Sequence, residues 1–194
     1  MRSRIVSTLL VVMVVVAGSI SGALADSANN VFRFGGAWVV PDGETSVGNV
    51  NLDSTDGWGY FLEYERRLIP WLGIDFQVLY ASPAFEQTPT GGPTTSQSVT
   101  VWTGNLGVNF HLFARSRVDL YLGAFGGYTD FDAQVDAAYA YGAVLGLDIG
   151  LTKSGLILVT GVRYSQTDAD STGSPGTSLP YDPLVYELGL GWRF

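Results

Sequence analysis

Apolar and polar residues alternate along most of this chain from residue 31 to the C-terminus. Eight stretches have this period of two, which is typical of β-strands whose two faces meet different surroundings. In the last stretch, Leu184 and every second residue up to Phe194 are apolar, whereas Glu187 and Arg193 occupy intervening positions. The alternation predicts an all-β protein, but soluble antiparallel sandwiches alternate in the same way. The class of β-protein therefore depends on further features.

The connections between the stretches alternate in length. Tight connections lie at 66–70, 113–116 and 152–154, and long polar ones at 41–55, 82–98, 131–138 and 166–182. Short turns at one end and long loops at the other are typical of bacterial outer-membrane barrels. Trp and Tyr residues also crowd the ends of the apolar faces, as they do at membrane interfaces. We therefore predict an eight-stranded antiparallel transmembrane β-barrel in the outer membrane, with both mature termini in the periplasm.

The first 25 residues have the features of a secretory signal peptide. Two arginines precede an apolar run over 5–17, and Ala23-Leu24-Ala25 provides a small-residue cleavage site. A retained membrane anchor is the alternative interpretation. Cleavage would leave a barrel domain over 26–194, in which no apolar run approaches the ~20 residues of a membrane-spanning helix.

Composition excludes several classes of function. The 194 residues include no Cys and a single His, and 18 acidic residues against 10 basic ones give a net charge of −8. The negative charge argues against nucleic-acid binding, and the lack of Cys and His against thiol catalysis, zinc sites and disulfides. A nucleophilic site would have to use His111, which faces inward near the periplasmic end, so we predict no enzymatic activity and no cofactor. A run resembling a calcium loop begins at Asp168 but has Leu179 where a bidentate Glu belongs, so we predict no metal site.

Six short segments, and the order in which they follow one another, indicate a relationship to a known family. They are FRFGGAWVVP (32–41), WLGID (71–75), ASPAF (81–85), YLGAFGGYT (121–129), VRY (162–164) and DPLVY (182–186). Together they resemble the OmpW-like family of outer-membrane barrels over essentially the whole mature chain. The resemblance implies passage of small hydrophobic molecules. The fourth strand lacks the Leu-Pro-Pro element common in that family, so no lateral opening is carried over to it. The C-terminal YELGLGWRF (186–194) resembles terminal barrel strands generally, which implies that Trp192 and Phe194 are a signal for the barrel-assembly machinery.

Inward-facing positions nearer the periplasmic end are polar or charged. We predict that they form a floor of ion pairs and hydrogen bonds across the lumen, because unpaired buried charges are destabilising. The residues expected in this floor are Arg33, Glu63, Glu65, Asp75, Asn109, His111, Asp119, Asp148 and Arg193. Five acids against two arginines indicate water, a cation or protonated carboxyl groups there. Just above them, Arg163 and Glu187 are predicted to pair, because they lie at similar heights on adjacent strands.

Inward positions in the outer half of the barrel are largely apolar and predict a cup. The candidate ligand-contacting residues are Val39, Phe61, Leu79, Val101, Phe125, Val144 and Val185. An eight-stranded barrel can hold one small ligand or be filled by its own side chains. We predict that the barrel binds or passes small hydrophobic molecules that enter from outside and leave sideways. The alternative is a non-transporting structural or surface-interaction barrel with acidic extracellular loops.

Charge differs between the two ends of the predicted barrel. The long loops carry acidic residues and no Lys or Arg, so contact with lipopolysaccharide phosphates would require divalent cations. The tight turns are expected to hold Arg66, Arg67, Arg115, Arg117 and Lys153 near anionic headgroups. The expected partners are outer-membrane lipid, lipopolysaccharide, the assembly machinery and a small hydrophobic ligand, and we expect a monomer.

Overall fold

The computed structural model describes residues 30–42, 44–47, 50–114, 116–132, 137–170 and 178–194. The side chains of 43–52, 87 and 168–180 lie outside this description, as does the predicted signal peptide. The described residues form eleven β-strands: β1 Asn30–Val40, β2 Glu44–Val47, β3 Val50–Ile69, β4 Leu72–Pro89, β5 Thr95–Ser98, β6 Val101–His111, β7 Val118–Phe131, β8 Ala138–Gly150, β9 Leu156–Asp170, β10 Ser178–Pro180 and β11 Leu184–Arg193. None of the residues described here forms a helix that could cross a membrane.

Eight of these strands close into an antiparallel barrel in the order β1, β3, β4, β6, β7, β8, β9, β11. β11 pairs with β1 and closes the ring, and the backbone N–H of Asn30 donates to the carbonyl of Phe194 at 3.0 Å. Closure matters in lipid, because it pairs the backbone polar groups of every strand and leaves no open edge. The predicted eight-stranded antiparallel barrel is confirmed.

The two faces of each strand differ as the alternation predicts. Outward positions carry exposed apolar side chains such as Leu106, Leu122 and Leu188, which suit a lipid surface. Inward positions are buried, and several of them carry charged side chains, such as Arg33, Glu65 and Asp148. Trp192 and Phe194 both point outward and are exposed. Their role as an assembly signal stays a prediction.

The tight connections and the C-terminus lie at the same end of the barrel. The turn between β8 and β9 places Gly155 at φ +99°, a conformation that favours glycine. A side chain at Gly155 would also collide with the carbonyl oxygen of Arg193. The assignment of this end to the periplasm stays a prediction.

The long connections contain more strand than the sequence predicted. β3 begins at Val50 and β4 runs to Pro89, and the two pair from Val50↔Pro89 to Thr55↔Ala84. β5 then pairs with β4, so the long polar connection predicted over 82–98 is mostly a β-hairpin. Ser and Thr residues are polar enough to resemble loop sequence, but Thr favours extended backbone, and the hairpin ladders continue beyond the apolar band. Three short strands, β2, β5 and β10, thus extend the outer end of the barrel.

Candidate functional site

The inward charged residues lie together across the lumen, and all except Asp75 are connected by ion pairs or hydrogen bonds among themselves and with inward amides. We call this group the ion plug. Its members are Arg33, Glu63, Glu65, Arg67, Asp75, Gln77, Asn105, Asn109, His111, Asp119, Asp148, Arg163, Glu187 and Arg193. All are buried except Arg193, whose side chain is partly exposed. The plug includes every residue that the sequence predicted for the floor, together with the predicted Arg163 and Glu187.

Arg33 lies at the centre of the ion plug. Its guanidinium contacts Asp148 through two nitrogens, at 3.1 Å from Nε and 2.9 Å from Nη2. Its Nη1 lies 2.5 Å from Glu63 and 2.8 Å from Glu65. The same group lies over the ring of Tyr121, 4.8 Å from the centroid. One side chain of β1 therefore links β3 and β8 across the barrel.

Arg67 joins the plug, although the sequence placed it in a tight turn near headgroups. Its Nη2 lies 2.6 Å from Asp119, and its Nε lies 3.2 Å from Glu65. His111 lies between the same two acids, with Nε2 2.8 Å from Glu65 and Nδ1 3.0 Å from Asp119. The turn prediction was wrong for Arg67 because β3 continues to Ile69, which keeps Arg67 on the inward face of the strand.

Arg163 and Glu187 form the predicted pair, with Nε and Oε1 3.4 Å apart. The pair is not isolated, since Nη2 of Arg163 lies 3.2 Å from Glu63 and Gln77 donates to Glu187 at 2.8 Å. Sequence reasoning missed Gln77, although the alternation of β4 places it on the inward face. The outer pair is thus connected directly to the floor.

Acidic residues outnumber basic ones in the plug, even with Arg67 included. Six carboxyl groups face four arginines and His111 (Glu63, Glu65, Asp75, Asp119, Asp148 and Glu187 against Arg33, Arg67, Arg163 and Arg193). Asp75 has no described hydrogen-bond partner at either carboxylate oxygen, and its exposed fraction is only 1%. Among the described residues, no group of His and acidic side chains is arranged to hold a metal ion. The predicted calcium-like run at 168–179 lies mostly outside the described residues.

Inward glycines make room for Asn109 of the plug and for Tyr121, which lies beside the plug. Gly123 faces the side-chain oxygen of Asn109, and Gly146 lies against the ring of Tyr121. A Cβ atom at either glycine would collide with those groups. Glycine opposite a long inward residue is therefore a packing requirement of the plug.

We expect Gly146→Ala to lower the free energy of unfolding by about 1–3 kcal/mol, because the methyl group overpacks the Tyr121 ring. Gly126→Ala is the matched control, since a Cβ at this outward glycine meets no described atom within 4 Å. We expect this control to change stability by less than about 0.5 kcal/mol. Urea unfolding of both variants in phospholipid vesicles, followed by Trp fluorescence, measures the difference. Equal losses in the two variants would contradict this account of Gly146.

All seven predicted cup residues face inward and are no more than 6% exposed. Five of them belong to one apolar cluster: Val39, Phe61, Leu79, Val101 and Val185. Phe125 and Val144 are not in that cluster, and the ring of Phe125 lies 4.6 Å from the guanidinium of Arg163. The cup is thus smaller than predicted and lies towards β11, β1, β3, β4 and the start of β6.

The opposite side of the outer lumen is polar, which the sequence prediction of an apolar cup missed. Thr103, Thr129, Ser165 and Thr167 are buried at inward positions of β6, β7 and β9. The hydroxyls of Thr103 and Thr129 lie 3.1 Å apart. The alternation of the sequence already places these four residues at inward positions.

The cup is closed in this structure. Val39 and Phe61 are 0% and 1% exposed, so no water-sized space reaches them. The wall beside the fourth barrel strand, β6, is also closed, because its pairing is continuous with β4 over Val101–Phe110 and with β7 over Val101–His111. This agrees with the missing Leu-Pro-Pro element.

A groove of about 690 Å³ lies on the outer surface of the wall across β1, β3 and β4. Gly36 leaves it unfilled, because a Cβ there would meet only the carbonyl of Gly59, at 4.0 Å. Phe61 belongs to the strand at the base of this groove, and its buried side chain belongs to the cup. The wall between lipid and cup is therefore formed in part by one residue.

Solved structures of outer-membrane proteins share this fold. OprG from Pseudomonas aeruginosa is 15% identical with a TM-score of 0.69, over 88% of this chain and 98% of that one. AlkL, solved in lipid bilayers, is 20% identical with a TM-score of 0.57, over 90% and 93%. Outer Membrane Protein W of E. coli is 18% identical with a TM-score of 0.52, over 88% and 100%.

No family model and no curated protein matches the sequence. Identities of 20% or less show the fold alone. At the level of the fold, the resemblance to OmpW-like outer-membrane barrels is confirmed.

Proposed function

We propose that this barrel, which has the fold of OmpW-like outer-membrane proteins, binds small hydrophobic molecules in the outer half of its lumen. The observation that carries the proposal is the cluster of apolar cup residues enclosed within the barrel, above a charged plug. An apolar lining with few polar groups is what small hydrophobic ligands require. We place the protein in the outer membrane as a monomer, with its termini in the periplasm and without catalytic activity.

The ion plug makes passage along the barrel axis unfavourable for such a molecule. Reaching the periplasmic end would require breaking the contacts of Arg33 with Asp148, Glu63 and Glu65. Buried charges that lose their partners are strongly destabilising. Exit towards the membrane past Phe61 separates no buried charges, and it requires only that the ladders of β3 with β1 or β4 part locally. We therefore propose that a hydrophobic molecule would leave sideways.

The filled cup favours a second candidate, a structural or surface-interaction barrel that transports nothing. In that case the outer strands would carry the function. Asp53, Asp56 and Asp132 are exposed there, and divalent cations would bridge such acids to lipopolysaccharide phosphates. The two candidates differ in whether the cup opens to admit an apolar molecule.

The deciding test compares entry of an apolar fluorescent probe and of a polar solute of similar mass into vesicles that contain the barrel. We expect the wild type to accelerate entry of the apolar probe alone, over the rate in empty vesicles. Phe61→Glu should abolish this acceleration, because it places a charge in the cup. Phe61→Leu, which keeps the site apolar, is the matched control and should retain it. Rates independent of the protein for both solutes would support the structural barrel instead.

A further inference from the structure

Three aromatic side chains lie beyond the cup at the outer end of the lumen. Phe85 on β4 and Phe131 on β7 continue the inward faces of those strands, and Tyr181 lies four residues before the cup residue Val185. The ring centroid of Tyr181 lies 5.4 Å from that of Phe131, edge-on, and 6.4 Å from that of Phe85. We call these three rings the aromatic cap.

The aromatic cap is continuous with the cup. Tyr181 and Phe131 belong to the same apolar cluster as Val39, Phe61 and Val101, and Phe85 packs against it. Tyr181 is only 3% exposed, although it lies in a connection outside the barrel strands. Burial raises the pKa of its hydroxyl above the ordinary value, at which a tyrosine is already neutral at physiological pH.

Tyr181 is attached differently from the two phenylalanines. Phe85 and Phe131 lie within β4 and β7, where the ladders with neighbouring strands fix their backbones. Tyr181 lies between β10, whose pairing with β9 ends at Pro180, and β11, whose pairing with β9 starts at Leu184. Its ring can therefore move without breaking a barrel ladder.

Four hydrogen bonds hold the short segment 181–183 in place. The backbones of Asp182 and Asp42 exchange two of them at 3.2 Å each, and Ser165 N–H donates to the carbonyl of Pro183 at 3.2 Å. The fourth runs from the backbone N–H of Thr167 to the carboxylate of Asp182, at 3.0 Å. This segment is thus a strap tied to the two strands that flank β11, through Asp42 just beyond β1 and through β9.

We propose that Tyr181 is the gate of the cup: its ring closes the outer mouth against Phe85 and Phe131, and displacing it admits a small apolar molecule. The assignment rests on the proposed function, since a gate requires a ligand. An apolar molecule comparable in size to one aromatic ring would replace the contacts that Tyr181 gives up, whereas a polar solute would not. Tyr181 would then control access and the size of ligand accepted.

The chain has no Cys, so a single cysteine introduced into the cup reports its opening. In Val101→Cys protein, the rate of reaction with a charged, membrane-impermeant thiol reagent measures how often the cup is open. We expect Tyr181→Ala to raise this rate about tenfold or more, which corresponds to about 1.4 kcal/mol less favourable closure. Tyr181→Phe keeps the ring and should leave the rate unchanged. Tyr139→Ala, on the exposed outer face, is the matched control.

A second variant tests the strap with the ring intact. Asp182→Ala removes the carboxylate that accepts from Thr167 and should also accelerate labelling. Heat-dependent gel mobility checks that each variant is a folded barrel. If Tyr181→Ala does not fold, the labelling rate of Asp182→Ala tests the gate instead. Labelling of folded variants at the wild-type rate would overturn the gate.

Binding of N-phenyl-1-naphthylamine, an apolar fluorescent probe, separates the gate from the function on which it rests. We expect the wild type to bind the probe, and Tyr181→Ala to bind it faster. Probe binding at equal rates in both proteins, with unchanged labelling, would overturn the gate and leave the proposed function standing. Faster labelling with no probe binding in any variant would overturn the proposed function, and Tyr181 would remain only the residue that closes the lumen.

Discussion

Replacing Arg33 by Met is expected to lower the free energy of unfolding by about 3–5 kcal/mol, because it leaves several buried carboxylates without a partner. Arg33 contacts Asp148, Glu63 and Glu65 within 3.1 Å, and its side chain is fully buried. Met fills much of the same volume, so the loss of unfolding free energy comes from the missing charge and not from a cavity. The remaining acids would have to protonate, separate or take up water and cations.

Urea unfolding in phospholipid vesicles measures this loss. Arg117→Met is the matched control, since Arg117 is exposed in a turn and its Nε donates to the carbonyl of Gly150 at 2.7 Å. We expect that change to remain within about 1 kcal/mol. If Arg33→Met and Arg117→Met unfolded at the same urea concentration, Arg33 would not be the centre of the plug.

The sequence predicted the fold well because an eight-stranded barrel imposes a simple rule on its strands. Lipid lies on one face and a narrow lumen on the other, so inward parity alone placed residues as distant as Arg33 and Asp148 in one interior. The pairing of Arg163 with Glu187 followed from their heights on adjacent strands. The local alternation of the sequence was thus sufficient to predict the contact between Arg163 and Glu187, which are distant in the chain.

Errors arose where the strand limits were wrong. Arg67 was assigned to a turn because two adjacent arginines followed by a short connection resemble one. The alternation that places Glu63 and Glu65 on the inward face nevertheless includes Arg67. The pairing of 50–55 with 84–89 was missed for a similar reason. Polar residues in extended strands beyond the membrane have the composition of loops.

The filling of the cup could not be predicted from the sequence. Whether Phe61 and Leu79 leave a space depends on the diameter and shear of the barrel and on rotamers, none of which periodicity reports. The aromatic cap was missed because Tyr181 lies outside the alternating stretches. Its ring meets Phe85 and Phe131 only after three separate segments converge.

The same chemical change is expected to have opposite effects at two buried aspartates of the plug. Asp148 contacts Arg33 at 2.9 Å and Arg193 at 3.5 Å, whereas Asp75 has no described hydrogen-bond partner. Asp148→Asn should destabilise the barrel by about 1.5–3 kcal/mol, because it weakens the two charge-assisted hydrogen bonds from Arg33 and the contact with Arg193. Asp75→Asn should cause no loss and a gain of up to about 3 kcal/mol, because it removes an unpartnered buried charge and adds a donor among carboxylates.

Urea unfolding of the two variants side by side tests this contrast. The contrast does not arise from a difference in side-chain volume, because Asp and Asn have nearly the same shape. Both residues are at most 1% exposed, and both exchanges replace one carboxylate oxygen by an amide nitrogen. Burial and shape are therefore matched, and the number of partners is the difference that remains. Comparable losses at both positions would mean that Asp75 has a partner in the folded barrel, such as a water molecule or a cation. The excess acidic residues of the plug would then form a binding site, which a water molecule or a cation occupies when the barrel folds.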